Sequence, residues 1–176
     1  MQGPYFIDMN SVWRGLPSGN QHGCGLPQPC LLDVRIARGR EPLNLVGAER
    51  DVLRVIADQH GAPTSAVDLA GAILDVAHRV QSDGDASPWG TYHLTGAGQT
   101  TWYGLAEEIF RLSAQAGHKV PKLDAITTAE YPLPAVRPPY CVLDTAKIRA
   151  AFGITLPPWQ QSLAACVRQL QARDYP

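Results

Sequence analysis

A strand, a tight turn and a helix follow one another from residue 52 onward, and this order most restricts the folds open to the chain. Residues 52–57 are apolar and rich in β-branched side chains, as in a buried strand. A turn is predicted at residues 61–63. Thr64 or Ser65 can then cap a helix over residues 65–80, in which apolar residues recur at helical spacing. The pattern predicts an α/β fold.

The sequence after residue 80 predicts one more strand and three more helices. Residues 90–96 alternate between apolar and polar side chains, which favours a strand. Helices are predicted after the caps Thr100 and Thr101 up to Gly117, over residues 145–152, and from Pro158 onward. Five prolines between residues 118 and 143 exclude long regular elements there, so we expect an ordered loop or an extended strand.

Composition changes near residue 50. The first 50 residues hold 7 Gly and 5 Pro, whereas the other 126 hold 9 Gly and 10 Pro. Nearly a quarter of the first part therefore consists of residues that interrupt regular structure. We expect an irregular N-terminal segment over residues 1–50 and a folded domain over residues 51–176.

Charge and hydropathy exclude several classes of protein. The net charge is −1 and no run of Lys or Arg is present, so we expect no nucleic-acid partner. No apolar stretch approaches the roughly 18 residues of a membrane span, and the first residues do not resemble a signal peptide. The four cysteines are irregularly spaced, as reduced thiols usually are. We therefore expect a cytoplasmic protein without a membrane partner.

Metal and catalytic motifs are weak or absent in the sequence. His22, Cys24 and Cys30, with Cys141 or His60 as a fourth ligand, could bind zinc, but their spacing favours ordinary loop residues, and we expect no metal. The sequence contains neither a glycine-rich dinucleotide loop followed by a helix nor a Tyr-x-x-x-Lys pair. We therefore assign no catalytic residue.

Polar and aromatic residues at three places could line a binding cleft. Asp58, Gln59 and Thr64 lie between a strand and a helix, where open α/β sheets often bind ligands, although a plain strand exit, turn and helix cap explains them too. Trp102 could wall a pocket for a flat base or sugar, or it could belong to the core. Arg137, on a stiff proline-rich loop, suits either a phosphate contact or a structural salt bridge.

Five motifs in order carry a resemblance to a known family. They are LRVIADQHGAPT at residues 53–64, GTYHL at 90–94 with TWY at 101–103, AEYPLPAVRP at 129–138, LD at 143–144, and FGI at 152–154 with LPPW at 156–159. In this order, over about residues 51–172, the chain resembles the dTDP-4-dehydrorhamnose reductase family of extended short-chain dehydrogenases.

The resemblance implies a two-part enzyme. Family members hold NADPH or NADH in an N-terminal Rossmann domain and a dTDP-sugar in a smaller C-terminal region. They reduce dTDP-6-deoxy-L-lyxo-4-hexulose to dTDP-L-rhamnose for surface polysaccharide, with a tyrosine of Tyr-x-x-x-Lys as proton donor. For this chain the resemblance implies the C-terminal substrate-binding part of an extended short-chain dehydrogenase (Rossmann-type) fold, with the nucleotide-binding half missing.

Several expectations follow from the resemblance. Residues 51–176 form a dTDP-sugar-binding domain, in which the substrate-binding residues are Asp58, Gln59, Thr64, Trp102 and Arg137, the last near the diphosphate. The chain alone binds neither NADPH nor NADH and is inactive, and a separately encoded Rossmann half is a possible partner. Some family members bridge subunits by a metal through acidic residues; Val67 and Gln169 stand at two of those positions, so we expect no metal-bridged dimer.

Two alternatives stay open at this point. One is a non-catalytic binding or regulatory module, as in a relative that serves as the regulatory subunit of methionine adenosyltransferase. The other is a truncated gene product with no function of its own, which exposes apolar surface that a Rossmann half would cover.

Overall fold

The computed structural model describes residues 51–131 and 136–172. The predicted irregular segment over residues 1–50 lies outside this part of the chain. The elements, in order, are β1 (Val52–Ile56), β2 (His60–Gly61), α1 (Ala66–Asp83), a short 3-10 helix (Gly84–Ala86), β3 (Thr100–Thr101), α2 (Trp102–Gln115), β4 (Lys122–Ile126), a second 3-10 helix (Thr128–Glu130), α3 (Ala146–Phe152) and α4 (Trp159–Ala172).

Strands β1 and β4 form a parallel pair with α2 packed against it. The register places Leu53 beside Leu123 and Ile56 beside Ile126. Leu53 is only 1% exposed and packs against Ala106 and Phe110 of α2. The predicted α/β class is confirmed, because parallel strands are joined through a helix. The prediction that β1 is buried holds only in part, since Val52 at its start is exposed.

A second apolar cluster joins α2 to α4. Leu105 of α2 packs with Trp159 and Leu163 of α4, and all three are buried. The predicted starts of both helices are confirmed: the Thr101 hydroxyl accepts a hydrogen bond from the Gly104 N–H, and α4 begins directly after Pro158. These starts depend on local residues, which is why the sequence predicts them well.

The short helix α3 ends at residue 152 as predicted and begins one residue later than predicted, at Ala146. The Asp144 Oδ1 atom accepts a hydrogen bond of 2.8 Å from the Ala146 N–H at its start. Gly153 follows its last residue with φ +70°, a left-handed conformation that glycine adopts without steric cost.

Helix α1 forms where predicted, but its apolar face is only partly covered. The Ser65 hydroxyl caps it by accepting from the Asp68 N–H at 3.3 Å. Within the described residues Ala72 is its one buried side chain, whereas Val67 and Ile73 are 72% and 58% exposed. A groove of about 720 Å³ lies between α1 and residues 152–157.

The strand predicted over residues 90–96 is wrong. These residues form no strand in the described part of the chain, and the nearest one, β3, begins at Thr100. A strand requires a neighbour to accept and donate its backbone hydrogen bonds. Here the segment is held by side chains instead: the Lys147 ammonium donates to the Thr91 carbonyl at 2.8 Å and lies 4.6 Å from the centre of the Tyr92 ring.

Polar contacts tie the loop after β1 to the 3-10 helix after β4. The Asp58 carboxylate accepts hydrogen bonds from the Thr128 hydroxyl at 2.7 Å and from the Thr128 N–H at 2.9 and 3.0 Å. These bonds, the hydroxyl bond first, lower the pKa of Asp58. The Glu130 carboxylate accepts from the Thr127 N–H at 2.8 Å, and this bond lowers the pKa of Glu130.

The lowered pKa values predict a loss of stability in acid. A carboxyl group whose pKa is lower in the folded state stabilises the fold above its ordinary pKa of about 4, and this contribution is lost as the pH falls through the folded value. We expect the urea midpoint of the chain to fall between pH 6 and about pH 3, and to fall less in Asp58→Asn. Circular dichroism at each pH measures it. Asp75→Asn, at an exposed residue of α1, is the matched control. Equal pH dependence of Asp58→Asn and the unmodified chain would contradict the prediction.

Replacing two glycines by alanine should change the free energy of unfolding in opposite directions. A Cβ at Gly96 would overlap the Pro63 carbonyl oxygen, whereas a Cβ at Gly71, inside α1, would meet nothing within 4 Å. We expect Gly96→Ala to lower the free energy of unfolding by about 1–3 kcal/mol, because backbone must move to admit the methyl group. Gly71→Ala should raise it by roughly 0.5–1 kcal/mol through helix propensity. Urea unfolding of both variants measures the difference, and a stable Gly96→Ala chain would refute the close approach.

Candidate functional site

Two strand pairings meet at residues 58–60 and bring distant side chains together. In the parallel β1–β4 pair Ile56 lies beside Ile126, and the Ala57 N–H continues the pairing by donating to the Ile126 carbonyl. Asp58 therefore lies beside the residues that follow β4. In the antiparallel β2–β3 pair His60 lies opposite Thr101, which brings the preceding Gln59 next to Trp102 at the start of α2.

A chain of hydrogen bonds connects the two pairings. The Trp102 Nε1–H donates to Gln59 Oε1 at 3.2 Å, and Gln59 Nε2 donates to the Thr128 hydroxyl at 3.0 Å. Thr128 in turn donates to Asp58. Gln59 is 6% exposed and Trp102 is half-buried, whereas Asp58 lies at the surface. The structure thus brings together three of the residues predicted from the sequence.

Thr64 lies in a separate contact. It is 3% exposed, and its hydroxyl donates to the Ala62 carbonyl at 3.1 Å while it accepts from the Gly96 N–H at 3.0 Å. The hydroxyl thereby holds the turn before α1 against the segment that precedes β3. Helix α1 is capped by the neighbouring Ser65. The role of Thr64 in ligand binding stays a prediction.

Arg137 lies on a segment that runs beside His60. The His60 N–H donates to the Pro139 carbonyl at 2.8 Å, and the Cys141 N–H donates to the His60 carbonyl at 2.9 Å. The Arg137 side chain is half-buried. Its Nε atom is enclosed by protein and has no hydrogen-bond partner among residues 51–131 and 136–172. An enclosed donor without a partner is rare in folded proteins.

Only some of the residues considered as zinc ligands lie in the described part of the chain. His22, Cys24 and Cys30 lie outside the described residues. Within the described part, no three His, Cys, Asp or Glu side chains are grouped so that they could hold a metal ion. Val67 and Gln169, at the positions compared with bridging acids, are exposed on α1 and α4.

None of the described helices is both long and apolar enough to span a membrane.

Sequence reasoning missed Thr128. The residue follows β4 at the same sheet edge where Asp58 follows β1, because parallel strands end on the same side. A hydroxyl placed directly after a second strand was the available signal. It became readable only with the β1–β4 pairing, which the sequence did not predict.

Comparison with known families gives a match over most of the chain. The family model described as RmlD substrate binding domain matches residues 41–172. It therefore begins upstream of the boundary expected at residue 51.

Two curated relatives are dTDP-4-dehydrorhamnose reductases. The one from Sinorhizobium fredii is 39% identical over 112 residues, which are 64% of this chain and 38% of the relative. The one from Burkholderia thailandensis is 38% identical over 147 residues, which are 78% of this chain and 49% of the relative. The chain thus spans less than half the length of these relatives.

Solved structures agree with the sequence relatives. A dTDP-4-dehydrorhamnose reductase from Clostridium acetobutylicum superposes with a TM-score of 0.64 at 36% identity, covering 76% of this chain and 45% of that one. One from Bacillus anthracis, solved in complex with NADP, has a TM-score of 0.59 at 30% identity, covering 71% and 40%. The similarity supports the expected fold, the C-terminal part of an extended short-chain dehydrogenase. The chain belongs to the RmlD substrate binding domain family.

Proposed function

We propose that this chain binds the dTDP-sugar in a dTDP-4-dehydrorhamnose reductase, which reduces dTDP-6-deoxy-L-lyxo-4-hexulose to dTDP-L-rhamnose for surface polysaccharide in the cytoplasm. The observation that carries the proposal is that Arg137, whose enclosed Nε atom lacks a partner in the described part of the chain, lies on the segment whose backbone pairs with His60, the residue after Asp58 and Gln59. Family membership supplies the chemical class of the ligand.

Arg137 is suited to the diphosphate of such a ligand. A guanidinium donates two parallel hydrogen bonds to phosphate oxygens, and Nε is one of the donors in that arrangement. The residue is followed by Pro138 and Pro139, which restrict the loop backbone. Little loop entropy would therefore be lost when a diphosphate binds the guanidinium.

Trp102 is suited to the flat part of the ligand. Its indole N–H is already bonded to Gln59, and part of its ring packs against the cluster of Leu105, Trp159 and Leu163, so the side chain can offer only the uncovered part of its ring and not a hydrogen bond. Aromatic faces bind pyrimidine bases and the apolar faces of sugars. The pair of Trp102 and Arg137 therefore matches a nucleotide-sugar better than it matches a free sugar.

Within the described residues, the turn Gly96-Ala97-Gly98 does not fit the dinucleotide cofactor of the family. The turn Gly96-Ala97-Gly98 is closed by protein, since a Cβ at Gly96 would meet Pro63 and one at Gly98 would meet the Trp159 ring at 3.3 Å. These glycines permit close packing within the chain and leave no backbone cradle for a phosphate. We propose that a separately encoded Rossmann half holds NADPH or NADH and supplies the catalytic tyrosine, and that this chain alone is inactive.

Exposed apolar residues of α1 support a partner of this kind. Val67, Ile73 and Leu74 are exposed large apolar side chains of this helix, and Val67 also lines the groove between the helix and residues 152–157. Exposed apolar patches of this sort mark interaction surfaces or unfilled interfaces. A truncated product without function would expose the same surface, and it would not bind the sugar nucleotide with Arg137.

The first test is direct binding of dTDP-rhamnose by calorimetry. We expect binding by the unmodified chain and an affinity about 10- to 150-fold lower in Arg137→Ala, because a charge-assisted contact contributes about 1.5–3 kcal/mol. Arg168→Ala, at an exposed arginine of α4, is the matched control and should bind normally. Normal binding by Arg137→Ala would remove Arg137 from the site. Absence of binding by the unmodified chain would refute the proposed function.

The second test is reconstitution of the reductase. The chain is mixed with a separately produced N-terminal Rossmann half of a family reductase, and NADPH oxidation is followed with the 4-keto sugar nucleotide. We expect turnover in the mixture and none with either part alone. Turnover by this chain alone would refute the assignment of the cofactor to the partner, and an inactive mixture would refute the split enzyme.

A further inference from the structure

Thr128 joins Asp58 to Gln59, and chemistry sets the direction of every hydrogen bond in this series. An indole N–H can only donate, so the Gln59 atom that faces Trp102 at 3.2 Å is the amide oxygen. The amide nitrogen of Gln59 then faces Thr128 at 3.0 Å and donates to it. Because the Thr128 oxygen accepts that bond, its own hydrogen points to the Asp58 carboxylate at 2.7 Å.

These hydrogen bonds leave little freedom to the Gln59 side chain. Gln59 is 6% exposed, and a protein partner holds each end of its amide. Asp58 is fixed in addition by the Thr128 N–H. Trp102 is half-buried and packs against the cluster of Leu105, Trp159 and Leu163, so the surface it can offer to a ligand is the part of its ring that this cluster leaves uncovered.

We propose that Thr128 is a positioning residue for the sugar-nucleotide site. Its hydroxyl orients the Gln59 amide, and the amide fixes the orientation of the Trp102 indole. The identity of the ligand rests on the proposed function, whereas the orientation of the indole is a property of the free protein. The identity of the ligand and the orientation of the indole can therefore be tested separately.

The neighbouring Thr127 provides a matched control within the same 3-10 helix. Its hydroxyl bonds the Glu130 carboxylate at 2.9 Å, and its N–H bonds the same carboxylate at 2.8 Å. Thr127 thus caps the turn without touching Gln59. A variant at Thr127 disturbs the turn and spares the series, while a variant at Thr128 does the reverse.

The test uses the indole N–H of Trp102 as a reporter in nitrogen-proton NMR spectra of the full chain, assigned with Trp102→Phe. Thr128→Val keeps the side-chain shape and removes the hydroxyl, and Thr128→Ser keeps the hydroxyl. We expect Thr128→Val to shift the Trp102 indole resonance and to speed its hydrogen exchange about two- to tenfold, as for one lost hydrogen bond. Thr128→Ser and Thr127→Val should retain the native signal. An unchanged indole signal in Thr128→Val would overturn the proposal.

Binding of dTDP-rhamnose gives the second readout. We expect Thr128→Val to bind about two- to tenfold more weakly and Thr128→Ser to bind normally. A shifted indole signal with unchanged affinity would overturn the positioning role. If the unmodified chain does not bind this ligand, the proposed function fails, and the NMR arm still decides whether Thr128 orients Trp102. Thr128→Ala, which removes the same hydroxyl, replaces Thr128→Val if that variant does not fold.

Discussion

The parallel pairing of β1 with β4 is the constraint on which the rest of the described structure depends. It buries Leu53 against α2, and it places the residues after both strands at one edge. Asp58 and Thr128 are 70 positions apart in the chain, yet the register brings them into hydrogen-bond contact. A shift of this register by one residue would turn Leu53 away from the core and separate the two side chains.

The polar residues at the end of β1, expected from the sequence to line a binding cleft, bond mainly to other residues of the protein in the structure. Asp58, Gln59 and Thr128 bond one another there, and ligand binding by Asp58 and Gln59 stays a prediction. Arg137 differs, because its enclosed Nε atom has no partner in the described part of the chain. Recognition is therefore proposed to depend on the Arg137 cation and on the Trp102 ring, and the polar series preorganises the ring.

The proposed Rossmann half would explain two features of the structure. Helix α1 has apolar residues that the described elements do not cover, and residues 90–96 have a strand-like pattern without a paired strand. Both a helix face and a strand need a neighbour before their pattern is satisfied. The chain spans less than half the length of its curated relatives, and a Rossmann half, as proposed, would offer a sheet to both.

The sequence by itself determined the features that depend on near neighbours. Ser65, Thr101 and Gly153 set helix ends through bonds and backbone angles within a few residues, and the five ordered motifs identify the family. Only the tertiary structure decided what pairs with what: that residues 90–96 form no strand, that the Thr64 hydroxyl holds Gly96, and that Thr128 joins Asp58 to Gln59. The physical reason is that these outcomes depend on strand register between distant segments, which local pattern does not encode.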